Sequence, residues 1–529
     1  MSSAGTKGED LTNFSFRLQH LHSKPGDLSS LTLELVITQG IYQQTLLVPY
    51  SDLNQLDIQQ EVPGCVYLTS KAKREVAKEI RLAVAQALQS QSQIGELYPQ
   101  TGWYRGTCDR VFVAGGAVIS RDGIAPPKDA VIARETAQFH LAMDHTLTAG
   151  QAAEQLLKSL TEYDNYGIPA FAYTLYSMLH SVWSEANLPT ACVLNLIGTQ
   201  GFGKTTLARN FCALYDDPSG NIADFYDAQS TPTSIKNALG EAKDRIVVVD
   251  DICKSTSPRE MQKRRDLTGH ILRNAANETP VAKMNGDNTV NFTCVSGLVL
   301  TGELPLEVAS DITRCVILNV EKPLRNGDSD DRTIAATAAA HYMQWLLIHF
   351  DEELSRLKSS FRTFSDNSKT QKNWRLQKSL FQLDWVFDSF LRFSNEAKAI
   401  SELAHCQFEK RAANIFRGIF GYEDALVQRI ESAQPSRWPQ LILAGAEHKK
   451  LPYLPKPGCI CVYPDELTQY LRAVLQRPSL QKQEIINELK RQNLLLMDRS
   501  GKSTKKVNKA RMLHIKMPPS YDTGIFCAK

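Results

Sequence analysis

The sequence predicts an α/β protein in several parts: a P-loop core, an N-terminal α+β domain before it, a long helical region after it and a C-terminal winged-helix-like domain. Three observations carry the prediction. An apolar run of strand length at residues 192–197 stops at a glycine-rich loop and is followed by a helical pattern. A second buried run, at 246–249, ends in the acids Asp250 and Asp251. Near the C-terminus two helical patterns lead into a strand pair flanking a concentrated basic stretch.

The glycine-rich loop organises the rest. Gly198, Gly203, Lys204 and Thr205 stand at the spacing G-x-x-x-x-G-K-T, with Thr199, Gly201, Phe202 and Thr206 completing the turn and the start of the helix. Backbone N–H groups can converge on β and γ phosphates only where no Cβ intrudes, which calls for glycine. Lys204 adds charge and the Thr205 hydroxyl suits Mg²⁺. The helix that opens at Lys204 presents its positive end to the same anion. The strand before and the helix after separate this from a chance match, and the ligands expected are ATP and Mg²⁺.

Length and composition bound the remainder. At 529 residues the chain exceeds one core and implies about three domains. A hydrophobic share of 43% and a charged share of 22% are those of an ordinary soluble protein. The net charge of +3 is close to neutral, so only a local concentration of charge can argue for nucleic acid. Of the 11 cysteines only Cys459 and Cys461 are close in sequence, and no C-x-x-C occurs, so neither zinc nor a disulfide framework is expected. No apolar run approaches the ~18 residues of a membrane span and no signal-peptide core opens the chain, which makes a cytoplasmic protein the expectation.

In chain order, residues 1–12 are polar and expected to be flexible, and 13–147 form the α+β domain. Residues 31–38 and 42–48 read as strands, 70–89 as a helix, and 103–104 with 110–114 as a strand pair before Gly115-Gly116. Trp103 and Tyr104 have the chemistry to stack on bases, although core packing is the commoner use of aromatics. Residues 148–330 form the ATPase core. A helical lead-in at 148–186 precedes the P-loop strand, and beyond the P-loop come a short strand at 222–226 and a helix at 233–243. In the acid-ended strand, Asp250 is placed to hold Mg²⁺ through water and Asp251 to polarise the attacking water.

The stretch from 257 to 303 decides the type of P-loop protein. A basic helix carrying Arg259, Lys263, Arg264 and Arg265 comes first; it lines a channel or is simply a solvated face. Two strand-like arms about Asn285-Gly286 follow, a strong hairpin signal. A strand then ends in Thr301-Gly302-Glu303, and Arg314 precedes another apolar strand at 315–320.

This order of P-loop, acid-ended strand, hairpin, polar strand end and arginine-plus-strand resembles the AAA+ class, in which the first two are Walker A and Walker B. The hairpin before the sensor strand is similar to the branch holding superfamily 3 viral helicases and MCM replicative helicases. More narrowly, the chain resembles helicase-like ATPases of phages, plasmids and genomic islands, including staphylococcal cassette replication helicases. The resemblance implies that Thr301 is the sensor-1 residue and that Arg314 is an arginine finger reaching a neighbouring subunit's ATP. It implies that the hairpin projects into a central pore, with Lys283 as a phosphate contact on single-stranded DNA; a plain solvated lysine is the other reading. Residues 331–435 then fall where a helical lid covers adenine, with Arg375 and Arg411 as candidates for a sensor-2 arginine.

Residues 436–529 form the winged-helix-like domain. Residues 459–463 read as a strand, 464–476 and 480–492 as helices, and 494–497 and 512–515 as strands flanking a basic loop. Nine Lys or Arg against one acid lie between Lys490 and Lys516. Lys502, Lys505, Lys506 and Lys509 make the wing that would touch duplex backbone. The function expected is an ATP-dependent DNA helicase or translocase, a magnesium-dependent hydrolase acting as a hexameric ring in replication of a mobile genetic element. The alternative is a DNA-sensing, nucleotide-switched ATPase, a scaffold or defence protein that does not unwind.

Overall fold

Apolar runs bounded by glycine or charge become the five strands of a parallel sheet, ordered Phe225–Asp227, Ile246–Ile252, Gly297–Gly302, Val193–Gly198 and Cys315–Val320. Successive residues of a strand point to opposite faces. Nearly all residues of the last four are buried, so both faces of the sheet are covered, as parallel sheets require. The computed structural model, a mixed α/β fold, describes residues 11–25, 27–90, 94–106, 109–126, 130–188, 192–252, 258–276, 281–285, 288–292, 294–303, 305–324, 330–368, 373–432, 438–456, 458–475, 480–497, 504–507 and 510–516. They fall into two units, Met1–Leu306 with Thr313–Gly421, and Glu307–Ile312 with Tyr422–Lys529. Among the described residues no helix is long and apolar enough to cross a membrane.

In the first unit the helix Gly167–Met178 is buried along its whole length. Its Tyr173 hydroxyl clasps the peptide of Leu298, donating to the carbonyl at 2.9 Å and accepting from the N–H at 3.0 Å. One phenol thereby registers the helix against the strand that ends at Thr301.

Ahead of this core, strands Tyr42–Pro49, Asp27–Gln39, Ser15–Lys24, Gly95–Tyr98 and Ala130–Ile132 form one sheet in that order. The helix Ala72–Gln89 lays Val76, Ile80 and Val84 on it, against Leu21, Leu33, Leu35 and Ile37. A second, antiparallel sheet of Gly102–Arg105, Arg110–Ala114, Ala117–Ser120 and Gly123–Ala125 shares its core with the helices around the P-loop. Trp103 is 6% exposed, donates Nε1–H to the Met178 carbonyl at 2.8 Å and meets Phe112 edge-on at 5.6 Å. Its indole is a core residue rather than a base-stacking platform. Asp244, just before the acid-ended strand, accepts the Trp103 N–H at 3.0 Å and two bonds from Ser181 at 2.8 and 2.7 Å. A buried carboxylate thus ties that sheet to the central one.

The helices Asp330–Ile348, Phe350–Ser368, Trp374–Glu396 and Glu402–Ser432 follow the central sheet. Asp331, at the start of the first, accepts from Ser159 at 2.6 Å and Tyr163 at 2.8 Å, and Asn210 of the P-loop helix donates to that tyrosine at 3.0 Å. On Trp374–Glu396, burial, with the Asp388 and Glu409 carboxylates adding, pushes the Asp384 carboxyl up to about 6. The folded state therefore holds a proton that the unfolded chain releases near 3.8, so stability from this group is full below about pH 4 and is lost as pH rises through about 6. Asp384→Asn is expected to stabilise the protein by ~1–2 kcal/mol at neutral pH and by little under acid conditions. Melting curves across pH test this; equal gains at both ends would contradict it.

In the second unit an antiparallel sheet is ordered Leu454–Lys456, Cys459–Val462, Ala510–Lys516, Thr504–Val507. Ile460, Val462, Leu513 and Ile515 pack in one core with the helices Trp438–Glu447, Pro464–Leu475 and Lys482–Arg491. One expectation is corrected here. Residues 494–497 do not form a strand: Leu495 makes a single bridge to Ile515, and Ala510–Lys516 pairs with Cys459–Val462 on one side and with the basic segment Thr504–Val507 on the other. That segment lies at a sheet edge, where lysines are favoured because they discourage pairing with another chain, and a lysine-rich composition reads as loop when the edge is not visible.

Candidate active site

The site forms where the middle strands of the central sheet end together. Val193–Gly198 stops beside Val320 on one side and Gly302 on the other. The chain then turns through Gly198 (φ 149°), Gly201 (φ 78°) and Gly203 (φ 86°) before the helix Lys204–Phe211 begins. At Gly198 a Cβ would fall 2.3 Å from the Val320 carbonyl oxygen, and at Gly203 the left-handed backbone disfavours a side chain. Thr199 offers its carbonyl to the loop, and Phe202 rests its half-buried ring on the core while its carbonyl accepts from Leu324 N at 3.1 Å. Thr206 is half-buried in the first turn of the helix.

Lys204 is 8% exposed, and its Nζ donates to the carbonyls of Gly198 at 3.0 Å and Thr199 at 2.8 Å. Burial pushes its pKa below the ordinary value, against which Glu303, then Asp250 and Asp251, act to keep the ammonium charged. A phosphate, being a charged acceptor, would compete favourably with those two neutral carbonyls.

The acids stand on an irregularity in the sheet. Val249 pairs with Leu300 and Ile252 with Gly302, so Asp250 and Asp251 together face the single residue Thr301. Two residues opposite one is a β-bulge, which re-aims side chains and is found beside active sites. Asp251 carries φ 63°, a left-handed backbone uncommon for a residue with a side chain. Gly302 is required at the same point, since a Cβ there would lie 2.4 Å from the Ile252 carbonyl oxygen.

Two strands and the start of a helix thus converge on one carboxylate oxygen. Asp250 Oδ1 accepts from Thr205 Oγ1 at 2.9 Å and from the Thr301 hydroxyl, while Thr301 Oγ1 accepts the Asp251 N–H at 3.1 Å. The Thr205 hydroxyl and the Asp250 carboxylate, 2.9 Å apart, are the hard oxygen donors that suit Mg²⁺, which Thr205 would bind directly and Asp250 through water. Thr301→Val keeps the shape and removes both bonds. We expect it to lower the turnover of ATP about 100-fold with little change in thermal stability, as for loss of one preorganised donor. Steady-state kinetics beside Thr301→Ser, which keeps the hydroxyl, is the check.

Other expected site residues lie elsewhere. Arg314 is half-buried where Cys315–Val320 begins, and its carbonyl accepts the Val193 N–H at 2.9 Å. It therefore stands at the opposite end of the sheet from the glycine loop, six residues or about 20 Å along the strand from the level of Gly198. Lys283 lies on the strand Val281–Asn285, opposite Val290 of Asn288–Phe292, in a hairpin that follows the helix Pro258–Ala276. Its side chain is outside the described residues, as are those of Arg259 and Lys263. Lys505 and Lys506 lie on the edge strand opposite Met512 and Arg511; their side chains, and all of Lys502 and Lys509, are outside the described residues. Arg411 donates to the carbonyl of Asp164 at 2.9 Å, and Arg375 is exposed. Glu303, whose charge acts on Lys204, is a further candidate that follows directly after the strand Gly297–Gly302, two residues beyond Thr301. Its sequence signal is an acid directly after a strand end that already carries a polar residue.

The fold has a solved counterpart. The SCCmec type IV Cch active helicase superposes with a TM-score of 0.54 over 95% of this chain and 93% of that one, at 13% identity. The chain has a helicase-like fold. The C-terminal region of NrS-1 in its apo form (TM-score 0.31, 11% identity, 94% of this chain and 96% of that one) and the JCV helicase (0.21, 12% identity, 51% and 74%) are more distant. No family model matches the sequence, and no curated protein matches it. At such identities the likeness is one of fold, and the chemistry must be argued from this chain's own residues.

Proposed function

We propose that the protein is an ATP-driven DNA helicase or translocase of the AAA+ class, working as a ring of identical subunits, of the kind that replicates mobile elements. The observation that carries the reading is the convergence on Asp250 Oδ1 of a P-loop hydroxyl and a hydroxyl from the neighbouring strand end. A glycine turn that only joined a strand to a helix would have no need of it.

In this reading the loop amides from Gly201 to Thr205 and the Lys204 ammonium bind the β and γ phosphates, and Thr205 and Asp250 hold Mg²⁺. When bound, that ion would offset the negative charge of the β and γ phosphates. Asp251 orients the attacking water, with Glu303 as a further carboxylate beside Lys204. Thr301 holds Asp250 through its hydroxyl and Asp251 through its N–H, so that both acids answer to one side chain. Arg314, remote from its own P-loop, serves the site of the adjacent subunit. The hairpin carrying Lys283 grips single-stranded DNA in the pore. Helix, helix and basic hairpin in the C-terminal unit make a winged-helix module for duplex DNA.

A forked duplex with one labelled strand tests the reading. Strand release is expected only with hydrolysable ATP and Mg²⁺, and Lys283→Ala is expected to lose both DNA-stimulated hydrolysis and unwinding. A protein whose hydrolysis responds to DNA, with or without Lys283, but which never opens the fork would instead be a nucleotide-switched sensor.

A further inference from the structure

The second unit holds a cluster of soft ligands that the proposed motor does not use. Cys459 and Cys461 are two apart on one strand, so both thiols leave the same face of the sheet. His514 pairs directly across from Cys461 on the strand Ala510–Lys516, which places its imidazole on that face as well. The opposite face, with Ile460, Val462, Leu513 and Ile515, is the one packed in the helical core.

All three residues are buried, none more than 4% exposed. Their donor atoms lie within 4.8 Å of one another, with Cys459 Sγ 4.0 Å from His514 Nδ1. Tetrahedral zinc, with Zn–S near 2.3 Å and Zn–N near 2.0 Å, holds sulfur and nitrogen about 3.5 Å apart. The donors therefore need to close by roughly 1 Å or less, within reach of rotamer adjustment. Met512, Leu454, Leu496 and Val507 surround the thiols and make the apolar, water-poor shell that strengthens metal–thiolate bonds.

We propose that Cys459, Cys461 and His514 bind one Zn²⁺ per chain, a structural clasp that pins Cys459–Val462 to Ala510–Lys516, the strand whose hairpin partner carries Lys505 and Lys506. Two thiol protons pass to solvent as two Zn–S bonds form, and neutral His514 donates a nitrogen lone pair. A fourth coordination position remains for a water or another donor. Thiolate and imidazole select zinc over the Mg²⁺ of the P-loop, so the two sites do not compete. The cluster escapes a search for C-x-x-C because on a strand the same-face spacing is two, and the third ligand arrives through pairing of strands more than fifty residues apart.

The test uses untagged full-length protein. Elemental analysis after exhaustive dialysis is expected to find about one zinc per chain, and cobalt exchanged into the site should give thiolate-to-cobalt charge-transfer and tetrahedral ligand-field absorption. Cys461→Ser and His514→Ala should each lose most of the metal, while Cys406→Ser, at an exposed cysteine, should keep it. Should those variants fail to fold, titrating the wild-type thiols with a mercurial must release the zinc in step. Wild-type protein with under about a tenth of a zinc per chain and no thiolate–cobalt band overturns the proposal, as does zinc that survives all the ligand substitutions. None of these readouts depends on ATP hydrolysis, so the motor reading can fail while this one stands.

Discussion

Lys204→Ala is expected to abolish ATP hydrolysis, by at least about 100-fold, and DNA unwinding with it. The size of the effect follows from where the ammonium sits. It is nearly buried, faces Glu303, Asp250 and Asp251, and is held within the loop by two carbonyls that a phosphate can displace. Removing it takes the ammonium away from the phosphates, while Gly198, Gly201 and Gly203 keep the turn in shape. Thermal stability should therefore change little. Hydrolysis measured by phosphate release, beside strand separation on the same fork, decides the matter: unwinding that outlives hydrolysis in this variant ends the motor reading.

Arg314→Ala is expected to cost about 1,000-fold or more in turnover, the usual worth of an arginine that meets the transferring phosphoryl group. The prediction is sharper than the number, because Arg314 cannot reach its own site from the far end of the sheet. If it acts on the neighbouring subunit, two inactive proteins should repair each other. A Lys204→Ala subunit brings an intact Arg314 to the intact P-loop of an Arg314→Ala subunit. With random mixing in a closed ring, about a quarter of the interfaces become competent. Mixing the two variants and finding no recovery, while each alone forms rings, would exclude the shared site.

The P-loop was legible because everything that makes it is local. A buried strand, glycines at fixed offsets and the lysine and threonine that open the helix all lie within one short stretch of chain. The acids at 250 and 251 were legible for a similar reason, as a polar stop to a run of branched residues. The bulge that sets both against Thr301 was not, since it is a register shift between strands and exists only once Val249 has paired with Leu300 and Ile252 with Gly302.

Composition misled where exposure mattered. The basic segment Thr504–Val507 reads as a loop because lysine is poor in the middle of a sheet, yet at an edge it is favoured. Trp103 offered two uses, and its burial against Phe112 with a bond to the Met178 carbonyl decided for packing. His514 stands more than fifty residues from Cys459 and Cys461, too far along the chain to be read with them.

By itself the sequence determined the elements of the core and the residues of the glycine loop, because helix and strand periods and the steric freedom of glycine act over a few neighbouring residues. Only the tertiary structure decided which side chains share an oxygen at Asp250, which end of the sheet Arg314 occupies and which face of a strand the thiols take. Those follow from strand order and register, and register is set by pairings between segments that the chain brings together only on folding.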